Sequence, residues 1–414
     1  MRLTAMLLVA ASLHAAAERA AALSPVDSLR AGAARTALGT PASHDLASAS
    51  EAGMSSAALI RAENAVYDEM RRGAFPGAAL AIGRYSDVVL EEGMGSTGRG
   101  FDSAPVDPDE TVYDLASLTK VVGTTTAVML LVEDGRMRLD DPVQSYLPEF
   151  TGPGKERVTI RHLLLHMGGL PEGMDVPSGL SPEAAVAHAA RVQLESTPGM
   201  RVKYTDVGFV LLYAAAERAA GEPLYRLLDE RVFGPLRMTS TSYDFGEGCR
   251  RCAGTARDQG DAYRGRVHDP IARRAGGIAG NAGLFSTAHD LARFAAMLAN
   301  GGVLDGVRVL RASTVRQFTQ RQPGSGTRAM GWDTPGAPGT GASGTRMSQS
   351  SFGHTGYTGT SIWVDPERGT WVVLLANRTY DTEGNNRMQT LRRTVHDVVA
   401  DAAVGQPRVA NGGM

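Results

Sequence analysis

The chain places strand-like segments near its two ends and helical segments between them. Residues 77–83 and 88–92 are short apolar stretches joined by a four-residue turn. Residues 361–364 and 370–376 flank Asp-Pro-Glu-Arg-Gly, a sequence typical of a hairpin turn. The pattern predicts an α+β fold, in which an antiparallel sheet built from both chain ends is flanked by helices and joined to a mainly helical lobe.

Apolar residues at helical spacing fill much of the remaining chain. They predict helices at residues 54–72, 121–132, 207–220, 288–299, 312–320 and 387–404. The stretch 276–285 is rich in glycine, which is typical of tightly packed loop backbone and of the wall of a cleft.

Ser117 and Lys120 stand at the head of the predicted helix 121–132. Three positions apart on a helix, their side chains are within reach of each other near its positive N-terminal end. A serine hydroxyl becomes a nucleophile when a base takes its proton, and lysine is such a base only while its surroundings keep it neutral. Only three of the 42 Lys and Arg residues are lysines, which favours a need for a titratable amine here.

Two further motifs follow this pair at long intervals. Tyr-Thr-Asp begins at Tyr204, 87 residues after Ser117, and His-Thr-Gly begins at His354, another 150 residues on. In this order the three motifs match the SxxK, YxN and KTG or HTG boxes. The chain therefore resembles the serine β-lactamase and penicillin-binding superfamily, on the branch of class C β-lactamases, DD-peptidases and family VIII-like esterases. The resemblance spans about residues 51–404.

The resemblance implies a role for each motif. Ser117 would be the nucleophile that becomes acylated, and Lys120 and Tyr204 would move its proton, with the division between them left open. The backbone N–H groups of Ser117 and Tyr357 would form the oxyanion hole. The substrate-binding and oxyanion residues would be Asp206, His354, Thr355, Gly356 and Tyr357.

Two residues depart from the family pattern. Asp206 stands where asparagine is usual, and an ionised carboxylate cannot donate a hydrogen bond to a substrate carbonyl. Paired with Lys120, it would raise the pKa of the lysine, which disfavours β-lactam hydrolysis and shifts the role of base towards Tyr204. Alternatively, Asp206 is simply the N-cap of helix 207–220. His354 replaces the more common lysine and would weaken the fixed positive charge offered to a substrate carboxylate.

Two other patterns suggest different chemistry. GxGxxG strings occur at residues 93–98 and 339–344, but the first opens no helix and the second follows no strand, so neither predicts a dinucleotide site. His162 and His166 are spaced for zinc. Without the glutamate of HExxH or a third ligand, they indicate histidines hydrogen-bonded inside the fold.

The first 17 residues have the pattern of an export signal, with Arg2, an apolar stretch at 3–13 and small residues at 15–17. Export favours a disulfide between Cys249 and Cys252, and a lone CxxC lacks the further ligands that zinc requires. We expect a periplasmic or secreted protein with no membrane span, no metal and no cofactor.

Composition adds limits on partners and organisation. An apolar content of 43%, a charged content of 21% and a net charge of −2 are those of an ordinary globular protein and do not support nucleic-acid binding. We expect a monomer with a flexible leader at 18–50, a hydrolase domain at 51–404 and a tail at 405–414. The sheet lobe would take about residues 51–115 and 288–404, and the helical lobe about 116–287, with the active site between them.

The sequence therefore predicts an exported serine hydrolase that forms an acyl-enzyme at Ser117 on peptidoglycan-derived or other D-amino-acid peptides and amides. An esterase acting on small acyl esters is the close alternative, because a neutral His354 would be no handicap there. A β-lactamase and a non-catalytic penicillin- or cell-wall-binding protein are the remaining alternatives.

Overall fold

The computed structural model describes residues 46–100, 103–243, 245–258, 261–380 and 387–404. The expected export signal and tail lie outside these residues, as does the expected leader up to residue 45. The strands are β1 (Gly77–Arg84), β2 (Asp87–Gly95), β3 (Tyr113–Asp114), β4 (Ser242–Tyr243), β5 (Arg257–Asp258), β6 (Asp261–Ala262), β7 (Leu284–Ser286), β8 (Val303–Leu304), β9 (Val307–Arg308), β10 (Phe352–Thr355), β11 (Ser361–Asp365) and β12 (Thr370–Ala376). The α-helices are α1 (Ser56–Arg71), α2 (Thr126–Glu133), α3 (Ile160–Leu164), α4 (Pro182–Arg191), α5 (Asp206–Ala220), α6 (Leu224–Leu228), α7 (Pro270–Arg274), α8 (Ala288–Ala299), α9 (Ala312–Thr319) and α10 (Arg387–Ala402).

Five strands form one antiparallel sheet in the order β10-β11-β12-β1-β2. Strand β1 from the N-terminal part and β12 from the C-terminal part are neighbours, with Ala78 opposite Ala376 and Arg84 opposite Thr370. The predicted α+β fold, with its sheet built from both chain ends, is confirmed. A smaller sheet in the order β3-β7-β4 lies next to the segment that carries Ser117.

Alternate residues of the large sheet enter two separate apolar cores, because successive side chains of a strand point to opposite faces. Leu80 and Leu374 pack with α1 and α10 in one core. Ala81 and Val373 pack with α8 and the other helices in the second, larger core. Every residue of β1 and β12 is buried, as expected for central strands covered on both faces.

The segment after Ser117 differs from the regular helix predicted at 121–132. A 3-10 turn (Ala116–Leu118) leads into a π-helix (Lys120–Thr125), and α2 begins only at Thr126. The Thr126 hydroxyl donates to the Val121 carbonyl oxygen at 2.8 Å, a side-chain bond that competes with regular helical bonding. Widened π turns are frequent at functional sites.

Most other helices lie close to their predicted positions. Helix α5 begins at Asp206, and its N-cap is Thr205, whose hydroxyl oxygen accepts the Gly208 N–H at 3.2 Å. The alternative interpretation of Asp206 as the N-cap is therefore wrong, because Asp206 is already the first helical residue. Among the described residues, Ala116–Glu133 is the one helical stretch long and apolar enough to cross a membrane, and 83% of it is buried inside the protein.

Candidate active site

Ser117 lies in a strained turn after β3. Ala116 has a φ of +46°, a left-handed conformation uncommon for residues other than glycine. Buried Asp114 holds the turn, since its Oδ1 accepts the Ala116 N–H at 2.8 Å and its Oδ2 accepts the His268 N–H at 2.7 Å. Burial raises the pKa of Asp114 to about 6, although both hydrogen bonds oppose the shift. The strained residue therefore lies next to the predicted nucleophile, and a hydrogen bond to Asp114 holds its backbone in place.

Lys120 is fully buried, and its Nζ makes three hydrogen bonds. It donates to Ser117 Oγ at 3.1 Å, to Asp206 Oδ1 at 2.6 Å and to the Asn281 carbonyl oxygen at 2.9 Å. Burial lowers the pKa of Lys120, but the negative charge and hydrogen bond of Asp206, with a further contribution from Tyr204, outweigh it and raise the pKa above its ordinary value. Lys120 is therefore a charged ammonium that donates to Ser117 and forms an ion pair with Asp206, which is one of the two alternatives that the sequence left open for Asp206.

The Tyr204 ring lies close to two cations. Lys120 Nζ is 5.0 Å and Arg328 Cζ is 5.2 Å from the ring centroid. Arg328 also forms an ion pair with Asp333, with 3.1 Å between Nη1 and Oδ1. Two cations therefore flank the ring of the tyrosine to which the sequence motifs assign proton transfer.

His166 positions the Tyr204 motif. The two rings stack with centroids 4.5 Å apart, and His166 Nδ1 accepts the backbone N–H of Thr205 at 3.1 Å. Burial and neighbouring cations lower the pKa of His166 well below its usual value, so the ring is neutral. His162 Nδ1 accepts the Thr159 N–H at 3.2 Å. The interpretation of both histidines as hydrogen-bonded inside the fold is confirmed.

The turn at residues 356–360 packs against the nucleophile segment. The Gly356 N–H donates to the Thr360 carbonyl oxygen at 2.7 Å. The hydroxyls of Thr358 and Thr360 donate to the carbonyl oxygens of Asp114 and Leu115 at 2.7 Å and 3.0 Å. A Cβ on Gly356 would lie 2.4 Å from the Leu115 oxygen, so this close approach requires glycine.

Tyr357 lies in this turn, next to Ser117. Within the described part of the chain, neither the Ser117 N–H nor the Tyr357 N–H donates to a protein acceptor. Buried Arg392 donates to two carbonyl oxygens of the turn at 2.7 Å and 2.8 Å. Arg378 donates to the Tyr357 carbonyl oxygen at 2.6 Å. These contacts hold the turn in place, and the Tyr357 N–H of the turn and the Ser117 N–H of the nucleophile segment are both available for an oxyanion.

His354 on β10 is buried and neutral. Its Nδ1 lies 2.9 Å from the Thr355 carbonyl oxygen, so we assign the proton to Nδ1. Its Nε2 is buried without a hydrogen-bond partner among the described residues. Burial, with the charges of Arg328 and Lys120, lowers the pKa of His354 well below its usual value. His354 therefore supplies no fixed positive charge.

Ser117 and Tyr357 border two cavities. The arginine cavity, of about 260 Å³, is further lined by Arg328, Arg378, Arg392, Tyr204, Asp333, His354, Thr355 and Gly356. The aromatic cavity, of about 410 Å³, is further lined by Tyr263, His268, Asp269, Pro270, Arg273, Ala116, Ala256 and Ala282. Three guanidinium groups against one carboxylate make the arginine cavity positive, so arginines supply the charge that His354 does not.

Cys249 and Cys252 form a disulfide with an S–S distance of 2.08 Å. The loop they close pairs with Val112, just before β3. The Val112 N–H donates to the Arg251 carbonyl oxygen at 3.0 Å, and the Ala253 N–H donates to that of Val112 at 2.8 Å. The disulfide loop therefore packs against the strand that leads to the nucleophile.

One cluster in the described part of the chain has the composition of a metal site. Ligand atoms of Glu91, Asp109 and His289 lie within 4.8 Å of one another. His289 Nδ1 is 3.2 Å from Glu91 Oε2 and 3.4 Å from Asp109 Oδ1. Burial lowers the pKa of His289, but its bond to Glu91 and the nearby carboxylates raise it overall, which favours the protonated ring. We interpret the cluster as an ion pair; it lines neither cavity.

Comparison with known proteins assigns the family. The family model described as "Beta-lactamase" matches residues 58–396. The chain belongs to the beta-lactamase family. It is 30% identical over 344 residues to a "Putative D-alanyl-D-alanine carboxypeptidase" of Escherichia coli (strain K12), covering 74% of this chain and 79% of that relative. A relative with the same description from Salmonella agona (strain SL483) is 29% identical over 379 residues, covering 83% and 88%.

Two solved structures share the fold of this chain. A penicillin-binding protein homolog from Caulobacter crescentus has a TM-score of 0.67 at 22% identity, covering 84% of this chain and 99% of that one. EstCE1, a hydrolase with promiscuous acyltransferase activity, has a TM-score of 0.66 at 22% identity, covering 84% and 98%. The resemblance predicted from the sequence motifs is confirmed, and this beta-lactamase family member falls among serine hydrolases.

Several residues of the site were not singled out from the sequence. Asn281 lies in the glycine-rich stretch 276–285, which was predicted to line a cleft, so a partial signal existed. His166 was recognised only as a residue of the fold. The remaining residues, for which no motif or spacing gave a signal, are Asp114, Asp269, Arg328, Arg378 and Arg392.

Proposed function

We propose that this beta-lactamase family member is an exported serine carboxypeptidase that removes a C-terminal D-amino acid from peptidoglycan-derived peptides. The observation that carries the proposal is the arginine cavity beside Ser117. Arg328, Arg378 and Arg392 line it, with Asp333 as its one carboxylate. Guanidinium groups match carboxylates in charge and geometry, so a peptide with a free C-terminal carboxylate suits this cavity. The names of the E. coli and Salmonella relatives describe the same activity.

In acylation, Ser117 Oγ forms a bond to the carbonyl carbon of the scissile amide. Lys120 is already a charged donor to Ser117, so in this mechanism the base is Tyr204, which reacts in its phenolate form and takes the proton of Ser117 on its phenol oxygen. The N–H groups of Ser117 and Tyr357 stabilise the negative carbonyl oxygen. Tyr204 then gives the proton to the leaving nitrogen as the C–N bond breaks.

In deacylation, a water molecule attacks the ester carbon of the acylated Ser117. Tyr204 accepts a proton from the water and returns it to Ser117 Oγ as the ester bond breaks. Lys120 keeps its charge through both steps because its ammonium remains paired with Asp206. The free acid and the D-amino acid are the two products.

Asp206 and His354 bear on the alternatives. Asp206 accepts from Lys120 and has no amide to offer a substrate carbonyl, which disfavours β-lactam hydrolysis. The neutral, buried His354 favours an esterase acting on small acyl esters as the second candidate, since such substrates need no cation. Three arginines beside the nucleophile favour the peptide over the ester.

The proposal is tested by the rates of D-alanine release from a peptide ending in D-Ala-D-Ala and from its C-terminal amide. Hydrolysis of p-nitrophenyl acetate and of nitrocefin is measured alongside. We expect the free acid to be cleaved with the highest kcat/KM. Rapid cleavage of p-nitrophenyl acetate with no release of D-alanine would support the esterase instead, and rapid nitrocefin turnover would support a β-lactamase.

A further inference from the structure

The aromatic cavity has a carboxylate that the proposed reaction does not use. Asp269 Oδ1 accepts the Ala272 N–H at 2.8 Å and the Asn281 Nδ2 at 3.0 Å. Its second oxygen, Oδ2, accepts no hydrogen bond from the described residues. Asp269 lines the cavity together with Ser117, so an open carboxylate oxygen stands near the nucleophile.

The cations around Asp269 are occupied by other groups. Arg273 also lines the aromatic cavity, but its Nη1 donates to the carbonyl oxygens of Val267 and His268 at 3.1 Å and 2.6 Å. Lys120 is committed to Asp206. Burial and the negative charge of Asp206 raise the pKa of Asp269, against the opposing effects of its hydrogen bonds from Ala272 and Asn281 and of the charge of Lys120. The carboxylate therefore lacks a cationic partner of its own.

Aromatic rings complete the surroundings of this carboxylate. His268 and Tyr357 stack with ring centroids 5.6 Å apart, and Tyr263 forms a further part of the wall. Arg266 Cζ lies 4.5 Å from the Tyr263 ring centroid and Arg378 Cζ lies 4.5 Å from that of Tyr357, so these rings serve as walls of the cavity. An open carboxylate in such a cavity can bind an alkylammonium group through a charge-assisted hydrogen bond.

We propose that the aromatic cavity binds a primary ammonium group in the acyl part of the substrate, with Asp269 Oδ2 as the acceptor. The proposal rests on the function proposed above, which directs the substrate carboxylate into the arginine cavity. The substrate then carries its carboxylate on one side of Ser117 and an amine on the other. Such an amine comes from the side chain of a diamino acid before the D-amino acids, or from a free peptide N-terminus.

Three tripeptides test the proposal and separate the two sources of the amine. They are Nα-acetyl-Lys-D-Ala-D-Ala, Nε-acetyl-Lys-D-Ala-D-Ala and the doubly acetylated peptide. We expect one of the two amine-bearing peptides to exceed the doubly acetylated one at least about tenfold in kcat/KM, as for a charge-assisted bond. The preferred peptide identifies the source as side chain or N-terminus.

Asp269→Asn is the matching variant. Its amide oxygen can keep both bonds of Oδ1 and the helix cap, so the change removes mainly the charge of Oδ2. We expect the ratio of kcat/KM between the preferred amine-bearing peptide and the doubly acetylated peptide to fall to about one. A general effect of the substitution on Lys120 would change both values alike and would therefore cancel in this ratio. Asp175→Asn is the control, because Asp175 has a 97% exposed side chain paired with Arg274. It should keep the wild-type ratio.

The outcomes separate this proposal from the one it rests on. Equal cleavage of all three peptides by the wild type would overturn the ammonium site while leaving the carboxypeptidase intact. An unchanged ratio in Asp269→Asn would likewise overturn the role of Asp269. Failure to cleave any of the peptides would overturn both proposals. If Asp269→Asn does not fold, the wild-type ratio alone still decides whether an amine is recognised.

Discussion

The two cavities beside Ser117 differ in charge: three arginines and one aspartate line the arginine cavity, whereas one arginine and one aspartate line the aromatic cavity. In the arginine cavity, Arg378 and Arg392 donate hydrogen bonds to carbonyl oxygens of the turn that carries Tyr357, so the same contacts fix the positive charge and the predicted oxyanion hole. In the aromatic cavity, the single carboxylate of Asp269 caps a short helix and keeps one oxygen open. Under the two proposals, this difference gives the cleft a direction and sets the orientation of a substrate across the nucleophile.

Removing the nucleophile gives the largest expected effect. Ser117→Ala should lower kcat for a D-Ala-D-Ala peptide at least about a thousandfold, because no covalent intermediate can form. Peptide binding, measured by calorimetry, should persist because both cavities remain. Turnover above one tenth of wild type would show that the cavities serve some other nucleophile.

Weakening the arginine cavity should remove selectivity for the free carboxylate. Arg328→Gln should lower the ratio of kcat/KM for a peptide over its C-terminal amide by about tenfold or more. Exposed Arg308, on β9, gives a matched control as Arg308→Gln. If Arg328→Gln lost activity on both substrates but kept the wild-type ratio, Arg328 would stabilise Tyr204 and would not bind the substrate carboxylate.

His166 should affect the chemical step rather than either cavity. His166→Val loses the acceptor for Thr205 and places a branched residue at a φ of +56°, so kcat should fall about tenfold to a hundredfold with KM little changed. His166→Asn tolerates this conformation and offers an acceptor oxygen, so it should retain more activity than the valine variant. If both His166 variants fold and show an equal loss of kcat, this result would contradict a positioning role for His166.

Lowering the pH should give the smallest of the expected effects, and it should affect the aromatic cavity but not the arginine cavity. Burial raises the pKa of Asp269, so this carboxylate becomes protonated at a higher pH than an ordinary aspartate as the pH falls. Among the described residues, the charged or titratable groups around it are Lys120, Asp206, Asp114, Arg273 and His268. Preference for the amine-bearing peptide should therefore shrink as the pH is lowered from 7.5, beginning at a higher pH than the titration of an ordinary aspartate. The arginines stay charged, so the acid-over-amide ratio should persist, and parallel loss of both ratios would contradict the assignment.

The sequence predicted most of the fold and the three residues at the centre of the candidate active site. Hairpin and strand patterns near both ends predicted the shared sheet, and three motifs predicted that Ser117, Lys120 and Tyr204 meet. The π-helix was missed because it depends on side-chain bonds such as that of Thr126. The arginine cavity was missed because Arg328 and Arg392 come from distant segments of an arginine-rich chain, where no local spacing distinguishes them.

The most direct test of the acyl-enzyme is mass spectrometry of the protein quenched in acid during turnover of a D-Ala-D-Ala peptide. We predict a mass increase equal to the peptide without its terminal D-alanine, located on Ser117 by proteolytic mapping and absent from Ser117→Ala. An adduct on another residue, or the same adduct on Ser117→Ala, would contradict the account.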